Sequence, residues 1–140
     1  MRVITGKARG GQLKTPDGML TRPTADRVKE ALFSIIRFDV AGARVLDLFG
    51  GTGQLGIEAL SQGAESAVFT DAREEACGLI RENLRRTRLD SQATVVRCDY
   101  LEYLNRCRES FDIIFLDPPY AEVFLETALK RITEIDILRS

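Results

Sequence analysis

The chain has 140 residues, of which 44% are hydrophobic and 29% are charged, and its net charge is −1. This is the composition of a single globular domain that is long enough to bury a core. The chain contains no histidine, which excludes histidine-based nucleophilic triads, and its three cysteines lack Cys-x-x-Cys spacing, so we expect no metal site. No apolar stretch approaches the roughly 20 residues that span a bilayer, so we expect a cytoplasmic protein with no membrane partner.

The first part of the chain is basic, whereas the remainder is acidic. Residues 1–30 contain seven Lys/Arg and three acidic residues, a net charge of +4, and residues 31–140 carry −5. A basic segment on an acidic body favours a polyanionic partner, although an ordinary solvated segment has the same pattern. We interpret residues 1–23 as a basic N-terminal arm, a small β appendage with short strands around the Gly10-Gly11 turn. Residues 24–140 form the main domain.

A helix is predicted to follow the arm. Thr24 is a plausible N-cap, and apolar residues then recur at helical spacing. We expect this helix to pack against the body through five residues: Val28, Ala31, Leu32, Ile35 and Ile36.

Strands and helices alternate over the rest of the chain. The predicted strands cover residues 45–49, 66–70, 93–98 and 111–116. The predicted helices cover residues 54–62, 73–88, 100–106 and 122–132. This alternation predicts an α/β fold in which a parallel sheet is covered by helices on both faces.

A glycine-rich turn follows the first predicted strand. Residues 51–56 read Gly-Thr-Gly-Gln-Leu-Gly, the Gly-x-Gly-x-x-Gly pattern of a nucleotide-binding turn. Asp71 lies 20 positions after Gly51, where a dinucleotide-binding fold keeps its ribose-binding acid. This match alone does not separate NAD from S-adenosylmethionine, because both ligands need close backbone approach and an acceptor for ribose hydroxyls.

An acidic residue ends, or closely follows, each of the four predicted strands. These residues are Asp47, Asp71, Asp99 and Asp117. The carboxyl ends of parallel strands form the ligand crevice of an open α/β sheet. Each aspartate alone could be a helix N-cap. Asp47 nevertheless suits the cationic methionine end of S-adenosylmethionine better than a pyrophosphate, and Asp99 could accept from the adenine amino group.

The fourth strand is followed by Asp117-Pro118-Pro119-Tyr120. Asp117 and the carbonyl of Pro118 could accept the two N–H bonds of an exocyclic amine, so that its nitrogen can pyramidalise toward a methyl donor. Proline at 119 restricts the preceding residue to extended geometry. Tyr120 offers a ring on which a flipped-out base can stack. The sequence therefore predicts methylation of a base amino group, with Asp117, Pro118 and Tyr120 as catalytic candidates; the alternative is a proline-rich turn with a core tyrosine.

Longer motifs give a more specific resemblance. They are Arg2-Val-Ile-Thr-Gly-Lys-Ala-Arg-Gly-Gly10, Arg22-Pro-Thr24, Arg27-Val-Lys-Glu-Ala-Leu-Phe33, Asp47-Leu-Phe-Gly-Gly-Thr-Gly53 and Leu55-Gly-Ile-Glu-Ala-Leu60. With them the chain resembles the Rossmann-like class I S-adenosylmethionine-dependent methyltransferases. Within that class it is similar to the bacterial family that methylates guanine N2 in small-subunit (16S) ribosomal RNA.

The resemblance implies a role for each candidate residue. The cofactor would be S-adenosylmethionine, and the partner would be ribosomal RNA in the small subunit or in its assembly intermediate. The implied cofactor-binding residues are Asp47, Phe49, Gly50, Gly51 and Gly53 at the turn, Asp71 at the ribose and Asp99 at the adenine. Residues 117–120 would hold the guanine, and the arm would bind RNA through Lys7, Arg9 and Arg22.

Two departures and several alternatives accompany the resemblance. Gly50 replaces a common alanine, and Asp71 stands where glutamate is frequent. The family's sheet, of strand order 3-2-1-4, continues with further strands, so we expect an incomplete domain with an uncovered edge on the fourth strand.

The alternative functions are a DNA adenine-N6 or protein glutamine methyltransferase, a catalytically silent RNA-binding fragment and an NAD-dependent enzyme.

Overall fold

A computed structural model of the chain describes residues 2–14, 23–116, 130–132 and 138, and within 23–27 it describes the backbone alone. The strands are β1 (Arg44–Asp47), β2 (Ser66–Asp71), β3 (Ala93–Arg97) and β4 (Ile113–Phe115). The helices are α1 (Pro23–Val40), α2 (Gln54–Ser61), α3 (Glu74–Arg86) and α4 (Tyr100–Arg106), with a 3-10 turn over Asp90–Gln92. The predicted alternation is confirmed, with boundaries that differ by at most two residues, and residues 130–132 of the last predicted helix are helical.

The four strands form one parallel sheet in the order β3-β2-β1-β4. Val45 in β1 lies between Ala67 of β2 and Ile113 of β4. This is the strand order that the resemblance implied. Since β1 is central and the chain proceeds to opposite sides of it, the carboxyl end of β1 is the switch point at which such folds bind ligands.

Two apolar clusters cover the two faces of the sheet. Val45 belongs to one cluster and the adjacent Leu46 to the other, because successive side chains of a strand point to opposite faces. The larger cluster includes residues of α1, α2 and α3, and the second includes Leu104 of α4 and Ile132. The structure is therefore a Rossmann-like α/β fold with helices on both faces, as predicted.

The predicted packing face of α1 is confirmed only in part, since Leu32 and Ile36 pack against the core and the other three predicted residues are exposed. Val28 and Ile35 are 62% and 79% exposed, whereas Lys29 and Phe33 are buried. Phe33 packs against Phe115 of β4 with 5.7 Å between ring centroids. The helical spacing was identified correctly, but the chain buries a lysine that apolar periodicity assigns to solvent. The helix also begins at Pro23, one residue before the predicted cap, because proline tolerates the first helical position.

The N-terminal arm is attached to α2 through a buried carboxylate. Glu58, fully buried on α2, accepts the backbone N–H of Ile4 at 2.8 Å and that of Thr5 at 3.1 Å. The Nζ atom of Lys29 lies 3.5 Å from the same carboxylate. Glu58 therefore joins the arm, α1 and α2. Because the backbone of the arm bonds to side chains of the body, its two predicted strands reduce to one antiparallel bridge, Arg2 with Gln12.

The outer edge of β4 is not wholly uncovered. Leu138 forms an isolated parallel bridge with Phe111, just before β4. The expectation that nothing later in the chain pairs with this edge is therefore wrong at that position. The pairing lies 27 residues away in sequence, too far for a local pattern to show it.

Candidate functional site

A small cavity opens at the carboxyl ends of the strands. Its volume is about 170 Å³, and its walls combine apolar rings with two carboxylates. The lining residues are Leu48, Phe49, Asp71, Ala72, Arg73, Cys98, Asp99 and Tyr100. The fold thus brings together three of the predicted cofactor-binding residues, Phe49, Asp71 and Asp99, from the ends of three different strands.

The glycine-rich turn lies next to this cavity and is joined to β2. The N–H of Gly50 donates to the carbonyl of Thr70 at 2.8 Å, which ties the turn to β2. A Cβ atom at Gly50 would lie 2.5 Å from Ile80 Cδ1, the flexible end of that side chain, so a larger residue would require Ile80 to shift. Gly51 has a φ of +61°, a backbone conformation that favours glycine. The turn therefore combines a closely packed glycine with one that the backbone conformation favours.

Asp47 lies beneath the turn rather than in the cavity wall. Its side chain is buried, and its Oδ2 atom accepts the N–H of Gly56 at 3.2 Å, in the first turn of α2. That bond satisfies one of the N–H groups that a helix leaves unpaired at its start. Asp47 thus holds the start of α2 against the turn and places a negative charge behind Gly51 and Gly53.

Asp71 is oriented by backbone amides at the end of β2. Its Oδ1 atom accepts the N–H of Arg73 at 2.9 Å, and its Oδ2 atom accepts the N–H of Gly51 at 3.2 Å. The guanidinium of Arg73 adds a contact of 3.2 Å. The Arg73 side chain is largely exposed, so ribose hydroxyls could replace the guanidinium without disturbing the two amide bonds.

Asp99 is the N-cap of α4 and also lines the cavity. Its Oδ2 atom accepts the N–H of Leu101 at 3.1 Å, as the capping alternative predicted. No residue in the described part of the chain donates a hydrogen bond to its Oδ1 atom. One carboxylate can therefore cap the helix and still accept from an exocyclic amine in the cavity.

An aromatic pair forms the apolar wall of the cavity. The rings of Phe49 and Tyr100 lie 5.1 Å apart between centroids and are tilted by 41°. Sequence reasoning did not identify Tyr100 as a site residue, although its position directly after a strand-end acid was a usable signal. Beside the pair, burial raises the pKa of the Cys98 thiol, and its Sγ atom accepts from Arg106 at 3.3 Å. The wall suits the planar face of a purine.

A buried asparagine links the arm to the glycine turn. Asn83 of α3 donates from Nδ2 to the carbonyl of Thr52 at 2.9 Å and to that of Lys14 at 3.0 Å. Its Oδ1 atom accepts the N–H of Lys14 at 2.6 Å. Sequence analysis missed this residue because a single asparagine within a helical pattern carries no signal of its distant partners.

The two described arm candidates lie far from the cavity. Lys7 donates to Oε1 of Gln92 at 2.6 Å, and Arg9 is exposed in the same turn of the arm. Gln92 directly precedes β3, so this turn lies at the amino-terminal edge of the sheet, opposite the crevice. The length of the strands, roughly 15–20 Å, separates the two edges. Arg22 lies outside the described residues.

The predicted catalytic residues Asp117, Pro118 and Tyr120 also lie outside the described residues. The strand that precedes them is described, and the carbonyl of Phe115 in β4 accepts the N–H of Leu48 at 3.2 Å. Phe115 is in register with Asp47. The chain therefore reaches the end of β4 at the same edge of the sheet as the glycine turn.

The described residues contain neither a metal-binding cluster nor a membrane-spanning helix. These residues contain no group of three or more acidic or cysteine side chains that could hold a metal ion. Within the same ranges, no helix is long and apolar enough to cross a membrane.

Comparison with known proteins gives matches along the whole chain. Residues 1–140 match the family described as Conserved hypothetical protein 95. YlbH of Bacillus subtilis is 45% identical over 141 residues, which cover 99% of this chain and 77% of that protein. Ribosomal RNA small subunit methyltransferase D of Haemophilus influenzae is 34% identical over 142 residues, which cover 99% and 74%. Among solved structures, yhhF of Escherichia coli superposes with a TM-score of 0.88 at 31% identity and covers 99% of this chain and 75% of its own.

Proposed function

Because the chain belongs to the Conserved hypothetical protein 95 family, the family of ribosomal RNA small subunit methyltransferase D, we propose that it methylates ribosomal RNA with S-adenosylmethionine. The specific reaction that we propose is transfer of the methyl group to the exocyclic N2 amine of a guanine in small-subunit RNA. The observation that carries this proposal is the convergence of Asp71, Asp99 and the Phe49–Tyr100 ring pair on one cavity at the strand ends, with the glycine turn bonded to Asp71 through the N–H of Gly51.

The cavity residues suit the adenosine end of the cofactor. Asp71 would accept the ribose hydroxyls, and Asp99 would accept the adenine amino group through Oδ1. The rings of Phe49 and Tyr100 would lie against the purine. The buried carboxylate of Asp47, beneath the turn, would attract the cationic methionine end. When bound, S-adenosylmethionine supplies an electrophilic methyl group.

The residues after β4 would present the substrate amine. An aromatic amine is a poor nucleophile because its lone pair is delocalised into the ring. Asp117 and the carbonyl of Pro118 would each accept one of its N–H bonds, which localises the lone pair on the nitrogen, and Tyr120 would stack on the base. Catalysis would then come from positioning and electrostatics without a covalent intermediate.

A methyl-transfer assay tests this proposal. The protein is incubated with unmodified small-subunit RNA and S-adenosylmethionine labelled in its methyl group, and the RNA is digested to nucleosides. We expect label in N2-methylguanosine, no label with Asp117→Ala, and S-adenosylhomocysteine affinity that is the same for both proteins. Label in N6-methyladenosine would contradict the guanine specificity, and an active Asp117→Ala variant would contradict the amine-acceptor mechanism.

Ligand-dependent thermal stabilisation separates the cofactor alternatives. S-adenosylhomocysteine should raise the melting temperature, whereas NAD should not, since Asp47 disfavours a pyrophosphate at the turn. Stabilisation by NAD alone would favour the dehydrogenase alternative. Stabilisation by S-adenosylhomocysteine without methyl transfer to any RNA would favour a catalytically silent fragment.

A further inference from the structure

An arginine stripe runs along the outer side of α3. Arg81 and Arg85 lie four residues apart on α3, so they project from the same side of the helix, and Arg88 follows in the turn that ends it, where its φ is +60°. All three are exposed. In the part of the chain that the structure describes, no salt bridge joins any of them to an acid.

The adjacent flank of α3 is electrically compensated. Glu82 lies 3.6 Å from Arg86 and 3.3 Å from Lys14 of the arm. The arm also contacts this flank through Asn83. The stripe is therefore distinct from the arm-facing side of the helix, and it concentrates three uncompensated charges on a body whose net charge is negative.

The helix connects the stripe to the crevice. α3 begins at Glu74, three residues after Asp71, and it runs away from the strand ends. At a rise of about 1.5 Å per residue, Arg81 lies roughly 10 Å and Arg85 roughly 16 Å along the axis from that start, and Arg88 lies beyond the end of the helix. The two helical arginines are thus about 6 Å apart along the axis, and a nucleic-acid strand in a B-type duplex carries a phosphate about every 3.4 Å of its axis.

We propose that Arg81, Arg85 and Arg88 bind the RNA backbone that flanks the target nucleotide, as a contact separate from the arm. This proposal rests on the proposed function, because it takes the occupant of the crevice to be a nucleotide of RNA. The guanidinium group suits the role, since its planar fork donates two parallel hydrogen bonds to a phosphate and remains charged at any physiological pH. Exposed arginines without acidic partners keep that fork available.

The test measures the salt dependence of RNA binding. The variant carries Arg81→Gln, Arg85→Gln and Arg88→Gln, and the probe is protein-free small-subunit ribosomal RNA transcribed in vitro. Affinity is measured over a series of potassium chloride concentrations. Each lost phosphate contact removes about 0.7–0.9 from the slope of log K against log salt, so we expect the slope to fall by about two to three. The affinity for S-adenosylhomocysteine should not change.

The matched control removes the same charge elsewhere. It carries Arg37→Gln, Arg108→Gln and Lys130→Gln, three exposed cations outside the stripe. The control should change the slope by less than about one. A stripe variant with the parent slope, or a control with an equal loss, would overturn the proposal while methyl transfer by the parent leaves the proposed function standing. A parent that shows no salt-dependent affinity for this RNA would overturn the proposal alone, because methyl transfer is the measurement that decides the proposed function.

Discussion

Replacing Glu58 with leucine should destabilise the protein by about 3–5 kcal/mol, because the ammonium group of Lys29 would remain buried without its carboxylate. The variant also removes the acceptor of two arm amides, those of Ile4 and Thr5. Losing the acceptor of those amides costs little free energy, since the arm can detach and expose the amides to water. Leucine and glutamate have similar volumes, so the substitution leaves no cavity.

Replacing the other partner of the ion pair, in Lys29→Met, should lower the free energy of unfolding by less than Glu58→Leu does. Glu58 would retain four donors, namely the two arm amides, the Thr5 hydroxyl at 3.4 Å and Nε2 of Gln62 at 3.0 Å. The double variant should be more stable than Glu58→Leu alone, because it contains no unpaired buried charge. Only the loss of the amide acceptors, about 1–3 kcal/mol, should remain.

Urea unfolding gives the free energy of unfolding for the four proteins of this cycle. Limited trypsin digestion reports the arm separately, since cleavage at Lys7 and Arg9 should accelerate in Glu58→Leu. A loss below about 1 kcal/mol in that variant, the value of an exposed pair, would refute the reasoning. Strict additivity of the two single losses would refute it as well.

Three further predictions concern the crevice. Asp47→Ala should weaken S-adenosylhomocysteine binding by about 1.5–3 kcal/mol in calorimetry, and unchanged affinity would remove Asp47 from the cofactor site. Asn83→Ala should weaken S-adenosylhomocysteine binding, because Thr52 and the arm lose their shared partner. It should also speed trypsin cleavage after Lys14, and an unaltered cleavage rate would show that the asparagine does not hold the arm. Burial raises the pKa of Cys98, so its reactive thiolate should be scarce near neutral pH and become more abundant as the pH rises toward the raised pKa. Alkylation followed by mass spectrometry should therefore find Cys107 labelled before Cys98, and bound S-adenosylhomocysteine should slow Cys98 further; equal rates at pH 7 would contradict this account.

The fold could be predicted because its signals are local. Apolar runs, glycine turns and helical spacing each lie within one element, and they gave the strand–helix alternation of residues 44–116. The glycine pattern also placed Asp71 correctly, since its distance from Gly51 follows from the length of one βα unit. The roles of the site residues toward cofactor and RNA stay predictions.

The remaining features depend on partners that lie far apart in sequence. Lys29 is buried because Glu58, 29 residues later, meets it, so periodicity alone assigned only part of the packing face of α1 correctly. Asn83 of α3 forms hydrogen bonds with Lys14 in the arm and with Thr52 in the glycine turn. These three segments lie far apart in sequence. Such pairs are visible only after the elements have been placed in space.

Mass spectrometry of ribosomal RNA nucleosides from cells that lack the gene tests the central claim most directly. We predict that these cells lose an N2-methylguanosine from the small-subunit RNA, that the wild-type gene restores it, and that a gene carrying Asp117→Ala does not. Unchanged N2-methylguanosine in the small-subunit RNA of the deletion strain would contradict the account.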